Sequence, residues 1–112
     1  MPDSPHAPLG VLEEQVVVAV LRTHGEAYGM HVRREIEQVT GRDLAIGAVY
    51  ATLDRLEAKG LVTSERATLD GSSRRLFRLT GEGARALADT RAMRERLWQG
   101  IDLPGLAALA RA

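Results

Sequence analysis

The spacing of hydrophobic residues divides this chain into segments of different period. From Leu9 to His24 (LGVLEEQVVVAVLRTH) apolar residues crowd together. The β-branched run Val16-Val17-Val18 suits a strand on propensity alone. The length of the segment, the acidic pair Glu13-Glu14 in its early turns and the stop at Gly25 favour a helix. Apolar residues at 16, 17, 18, 20 and 21 cover nearly the whole circumference at about 100° per residue. A helix apolar on all sides is buried on all sides. In so small a chain, one side is expected to meet the domain core and the other a partner subunit.

Tyr28-Gly29 makes a turn into a second helix, Met30 to Thr40. Met30, Val32, Ile36 and Val39 form its inner side, Arg33, Arg34, Glu37 and Gln38 are polar, and Gly41 closes it. A third helix follows over about Ala45 to Lys59 and stops at Gly60. Val49, Leu53 and Leu56, at i, i+4 and i+7, are its inward stripe. Gly47, Ala48, Ala51, Thr52 and Arg55 are read as the opposite side. Small residues there permit close approach of another macromolecule.

The period then shortens. Leu61 to Glu65 is strand-like, Asp70-Gly71-Ser72-Ser73 is a turn, and Arg75 to Leu79 (RLFRL) alternates again. Asp-Gly between two alternating runs is a hairpin signal. Thr80 serves as an N-cap for a long final helix from Glu82 to about Gly100. Pro104 and Gly105 then break the chain before a short apolar tail. Three prolines in the first eight residues mark a flexible arm.

Two short helices joined by a turn, the second followed at once by a hairpin, describe a winged helix-turn-helix. The expected fold is thus mainly α with a small β-hairpin. Its organisation is an arm over 1–8, a winged helix-turn-helix over 9–80, one long C-terminal dimerisation helix over 81–103 and a tail over 104–112. The third helix would enter a major groove, presenting Gly47, Ala48, Thr52 and Arg55. The hairpin carries Arg74 and Arg75, read as lying at its tip, with Arg66 and Arg78 nearby. Arginine suits phosphate oxygens and base edges because its planar fork offers several donors.

Charge qualifies this picture. Fifteen basic and fifteen acidic residues give a net charge of zero over 112 residues. By region, residues 28–80 hold nine basic and seven acidic side chains, whereas residues 1–27 hold one basic and four acidic. The helix-turn-helix and wing are therefore mildly basic, and neutrality of the whole chain does not exclude DNA.

Other chemistry finds little support. No cysteine is present, which removes disulfides, thiolate metal sites and cysteine nucleophiles. His6, His24 and His31 are scattered without metal-ligand spacing, so no metal or other cofactor is expected. No nucleophile elbow, phosphate-binding Gly-Lys loop or carboxylate dyad occurs, and the chain does not read as an enzyme. The longest apolar run, Val16 to Leu21, has six residues, far short of the about twenty that span a membrane. The N-terminus lacks the pattern of a signal peptide, so a cytoplasmic location is expected.

The segment Tyr28 to Val62 resembles the PadR family of bacterial transcriptional regulators. The resemblance rests on the Tyr28-Gly29 turn, the Gly47-x-x-Tyr50 pair, the run Leu53-x-x-Leu56-Glu57-x-x-Gly60-Leu61, and the wing followed by RLFRLTGEG (Arg75 to Gly83). Over about residues 9 to 100 the chain is similar to the short subfamily with a single C-terminal helix. Ala51 stands where the family usually has Pro. The resemblance implies a homodimeric repressor on a pseudo-palindromic DNA operator, released by a small molecule or another signal. It also favours a DNA contact for Tyr50 and dimerisation through the first and last helices. On those helices Val16, Val17, Val20, Leu87, Met93, Leu97, Trp98 and Ile101 are the expected dimer residues. The lone Trp98 is read as an interface anchor or, more specifically, as one wall of a pocket for a planar hydrophobic effector. The alternative function is a winged helix used for protein–protein interaction without DNA.

Overall fold

The computed structural model describes residues 7–112, so most of the expected N-terminal arm, with His6, lies outside the described residues. Seven elements follow in order: α1 (Val11–Arg22), α2 (Gly29–Thr40), α3 (Ile46–Ala58), β1 (Val62–Leu69), β2 (Ser72–Leu79), α4 (Gly81–Trp98) and α5 (Leu103–Arg111). The expected mainly helical fold with one hairpin is observed.

Helix α1 starts at Val11 rather than directly after Pro8. The backbone N–H of Gly10 donates to Glu13 Oε1 at 3.0 Å, which ties the entering chain to the first turn. Just before it, Leu9 is buried and its N–H donates to Thr90 Oγ1 on α4 at 3.1 Å. The core gathers Val16, Val17 and Val20 of α1, Val32 and Ile36 of α2, and Val49, Leu53 and Leu56 of α3 around Phe77 of β2. Phe77 is held there by its own backbone, whose N–H donates to Ala27 O at 2.9 Å. That bond fastens the root of the hairpin to the α1–α2 connection.

The hairpin is longer than the alternation suggested. Val62 pairs with Leu79 and the ladder continues without a bulge to Leu69 opposite Ser72. Asp70 and Gly71 both take positive φ, 51° and 79°, the backbone of a two-residue turn matched to strand twist. At its base Thr80 N–H donates to Leu61 O at 3.1 Å. Thr80 Oγ1 accepts from Gly83 N at 3.0 Å and caps α4. A Cβ on Gly83 would lie 2.0 Å from Leu61 O, so only glycine allows α4 to begin this close to the wing.

Two expectations change here. The three valines assigned to a dimer face, Val16, Val17 and Val20, are 0%, 0% and 5% exposed within a single chain. They have almost no surface to offer a partner, because the domain core takes most of the circumference of α1. Val11, Val18 and Leu21 remain outside. Pro104 and Gly105 do not break the chain either; they lie in the first turn of α5. Proline is tolerated there because first-turn N–H groups lack helical partners anyway, and Asp102 Oδ1 accepts from Gly105 N at 3.0 Å.

The first half of α4 packs on the body through Gly83, Ala86 and Thr90. Arg94 still pairs with Glu14 of α1; beyond it the helix projects outward, and α5 buries none of its residues. The Cα radius of gyration is 16.4 Å, against about 13 Å for a compact chain of this length. The excess lies in an arm that exposes Leu97, Trp98, Ile101, Leu103, Leu106 and Leu109.

Candidate nucleic-acid interface

Helix α3 turns Val49, Thr52, Leu53 and Leu56 inward, the i, i+3, i+4, i+7 stripe of a half-buried helix. Gly47, Ala48, Tyr50, Ala51, Asp54 and Arg55 are exposed. The helix runs unbroken through Ala51. Thr52, read from sequence as outward, is fully buried. Its hydroxyl donates to Ala48 O at 2.8 Å and accepts from Arg55 Nη2 at 3.1 Å. Bonding back to the carbonyl four residues earlier satisfies a buried threonine inside a helix, so position 52 holds the core and not a ligand.

Tyr50 is seated by its neighbour helix. A Cβ on Gly29 would come within 2.3 Å of Tyr50 Cζ, so the Tyr50 ring occupies the space that a side chain at 29 would need. This contact joins α3 to the start of α2 and explains why Gly29 and Tyr50 belong to one pattern.

One residue earlier, Tyr28 collects cations. Arg74 of β2 lies over its ring at 4.5 Å, and Arg34 of α2 at 5.9 Å. Arg34 Nη2 also donates to the Tyr28 hydroxyl at 2.8 Å. The His31 ring stands 5.4 Å from the Tyr28 ring, with Nδ1 2.8 Å from Glu26 O. A cation over an aromatic face keeps its N–H donors directed elsewhere, so Arg74 retains hydrogen-bonding capacity. Arg34, His31 and Tyr28 were not among the expected contact residues. Only folding brings them to the wing, since six positions separate Tyr28 from Arg34 and 46 separate it from Arg74.

Arg74 and Arg75 are not at the hairpin tip. They pair with Ala67 and Arg66, third and fourth from the turn. Successive strand residues face opposite ways, and the two arginines part accordingly. Arg75 turns to α3: Nη1 donates to Asp54 Oδ1 at 2.8 Å and Nε to Ser64 Oγ at 3.1 Å. Its Nη2 is bonded to Glu57, and the guanidinium lies 4.6 Å from the centre of the Phe77 ring. Ser64 Oγ completes the set by donating to Glu57 Oε2 at 2.7 Å. The Ser64 hydroxyl, opposed by partial burial and aided by Arg75, holds the Glu57 carboxyl below its ordinary range. Burial of Arg75 is outweighed by Asp54 and Glu57, beside which the guanidinium holds its own proton more firmly.

Helix-turn-helix, wing and capped α4 form the pattern of one family, whose model, the transcriptional regulator PadR-like family, matches residues 17–89. The chain belongs to the PadR-like family. It is similar to the transcriptional regulator Rv3488 of Mycobacterium tuberculosis, with 39% identity over 72 residues, which is 64% of this chain and 66% of that protein. Among solved structures it is similar to RosR of H. salinarum, at 29% identity and a TM-score of 0.64, covering 83% of this chain and 80% of the other. A PadR-like transcription factor from Bacteroides fragilis is similar at 25% identity and a TM-score of 0.66, covering 79% and 84%. The PadR-like family and the Mycobacterium tuberculosis relative are transcriptional regulators, and the Bacteroides fragilis protein is a transcription factor. Among the described residues, no helix is long and apolar enough to cross a membrane.

The remaining expected residues fall on the arm. Leu87 and Met93 are half-buried, while Leu97, Trp98 and Ile101 are exposed on the projecting end of α4 and the turn after it. Leu87 also lines a concavity with Leu21, Leu79 and Ala84, between the end of α1 and the start of α4.

Proposed function

We propose that this PadR-family chain is a DNA-binding repressor that acts as a homodimer on a pseudo-palindromic operator. Each subunit places the exposed side of α3, with Gly47, Ala48, Tyr50 and Arg55, in a major groove. Arg74, backed by Arg34 and His31 around Tyr28, meets the phosphates beside it. The observation that carries this reading is the cation cluster on Tyr28, one residue from the glycine on which Tyr50 rests. A mildly basic surface next to a small-residue helix suits a duplex, whose phosphates supply much of the affinity.

The dimer forms through the arm. Leu97, Trp98 and Ile101, with Val18 and Leu21 of α1, are large apolar side chains that a single chain leaves in water, and contact with a second copy would cover them. Trp98 supplies an aromatic anchor, and a planar hydrophobic effector held beside the two Trp98 rings would shift the spacing of the recognition helices and release DNA.

A mobility-shift titration on the DNA upstream of the protein's own gene tests the reading. A discrete retarded species at moderate salt is expected. Binding indistinguishable from that to random duplex would favour a winged helix devoted to protein–protein contact.

A further inference from the structure

We propose that Arg75 is a positioning residue that clamps the wing to the recognition helix and thereby sets sequence discrimination, rather than a contact to DNA. The proposal rests on the DNA-binding reading above for its effect on specificity, but not for the existence of the clamp. All three guanidinium nitrogens are engaged, with Asp54 and Glu57 on α3 and Ser64 on β1. Three of its five N–H donors, one on each nitrogen, are so taken, and a phosphate would have to compete with two carboxylates for the group.

The register gives a second, independent reason. Arg75 stands directly opposite Arg66 in the ladder, and like charges so placed repel. Two carboxylates from α3 offset that repulsion, so docking on α3 steadies the outer half of the hairpin. The inner half needs no such help, because Phe77, Leu61 and Val62 anchor it in the core. Asp54 is otherwise unexpected on this helix: an exposed carboxylate on a surface meant for phosphates weakens binding unless a cation neutralises it. Holding the wing at one angle to α3 fixes how far Arg74 stands from the groove that α3 enters. A phosphate contact of fixed reach then constrains register, and register decides which bases α3 meets.

Arg75→Lys, Arg75→Gln, Glu57→Gln and Arg74→Gln are compared with the wild-type protein in two measurements. The first is amide hydrogen exchange of the free protein. The clamp predicts faster exchange across residues 64–75 in both Arg75 variants and in Glu57→Gln, with α1 and α2 unchanged. Unchanged exchange there overturns the clamp, whatever DNA does. The second is affinity for a duplex selected in vitro with the wild-type protein, against a scrambled duplex of the same composition. Arg75→Lys keeps its charge, and Glu57→Gln adds a positive increment that favours any duplex. The clamp nonetheless predicts that both lose discrimination, by about tenfold, with the salt slope unchanged. Arg74→Gln should instead lower the slope and weaken both duplexes alike. Full discrimination in Arg75→Lys and Glu57→Gln, or a reduced salt slope in Arg75→Gln, overturns the positioning role. A wild-type protein that enriches no duplex in the selection overturns the DNA-binding reading and the specificity role with it, while the exchange rates still decide whether the clamp exists.

Discussion

Tyr50 of α3 rests on Gly29 of α2 so closely that a Cβ on the glycine would stand 2.3 Å from the tyrosine Cζ and 2.6 Å from its hydroxyl. The atoms that would clash are the far end of a half-exposed side chain, so the cheapest response to Gly29→Ala is for Tyr50 to swing away. We expect Gly29→Ala to cost under about 1 kcal/mol of stability while weakening DNA binding as much as Tyr50→Ala does. The double variant should lose no more than either single one. Denaturant melts with mobility shifts on all three variants check this. Additive binding losses would mean that the two residues act separately.

Gly83 presents the opposite case. Its virtual Cβ meets backbone, Leu61 O at 2.0 Å, and backbone cannot swing aside. Gly83→Ala should push the start of α4 off the wing, break the Thr80 cap and destabilise the fold by roughly 3 kcal/mol. Urea denaturation measures it, and a loss under 1 kcal/mol would show that α4 can begin elsewhere at little cost.

Three glutamates give the stability a defined acid limb. For Glu13, burial favours the neutral form but is outweighed by Lys59 and the Gly10 N–H. The Leu44 N–H, against some desolvation and aided by Arg33, holds Glu37 down. Ser64 and Arg75 do the same for Glu57. Each folded-state value lies below the ordinary 4.5, so the unfolded chain takes up protons first. Their contribution is fully present above that value and is lost as pH falls through the lower folded-state values. Melting temperatures should be flat in this respect from neutral pH to about 5, then decline. Glu57→Gln should make that decline shallower.

Substitutions on the arm and on α1 separate the core from the proposed dimer contact. Leu97→Glu with Ile101→Glu, both exposed, should halve the mass seen by light scattering and leave the helical signal intact. Val16→Ala, at a position with no exposure, should leave the mass unchanged and cost roughly 2 kcal/mol of stability. The reverse pattern would restore Val16 to the interface.

Helices α2 and α3 were legible in the sequence because their apolar stripes are regular and their ends carry glycines. The Asp70-Gly71 turn was legible because that pair suits the backbone the turn needs. The burial of Thr52 is not legible from its polarity, because a threonine can satisfy its own hydroxyl within a helix. Val16, Val17 and Val20 were given to a partner because an all-apolar helix does not say which side the core takes. Arg74 and Arg75 share a charge but not a face, because strand alternation separates neighbours. The cluster on Tyr28 and the carboxylates that hold Arg75 left no trace in spacing. They join α2, α3 and the hairpin, and only the packed fold brings these together.

We expect the Tyr28-backed Arg74 and the exposed side of α3 to form a DNA surface. The most direct test is the salt dependence of duplex binding by the wild-type protein and by Arg74→Gln. Affinity should fall linearly with the logarithm of salt concentration, and the variant should lower the slope by about 1 per subunit. Identical slopes and affinities for the two proteins, or wild-type binding that ignores salt, would contradict it.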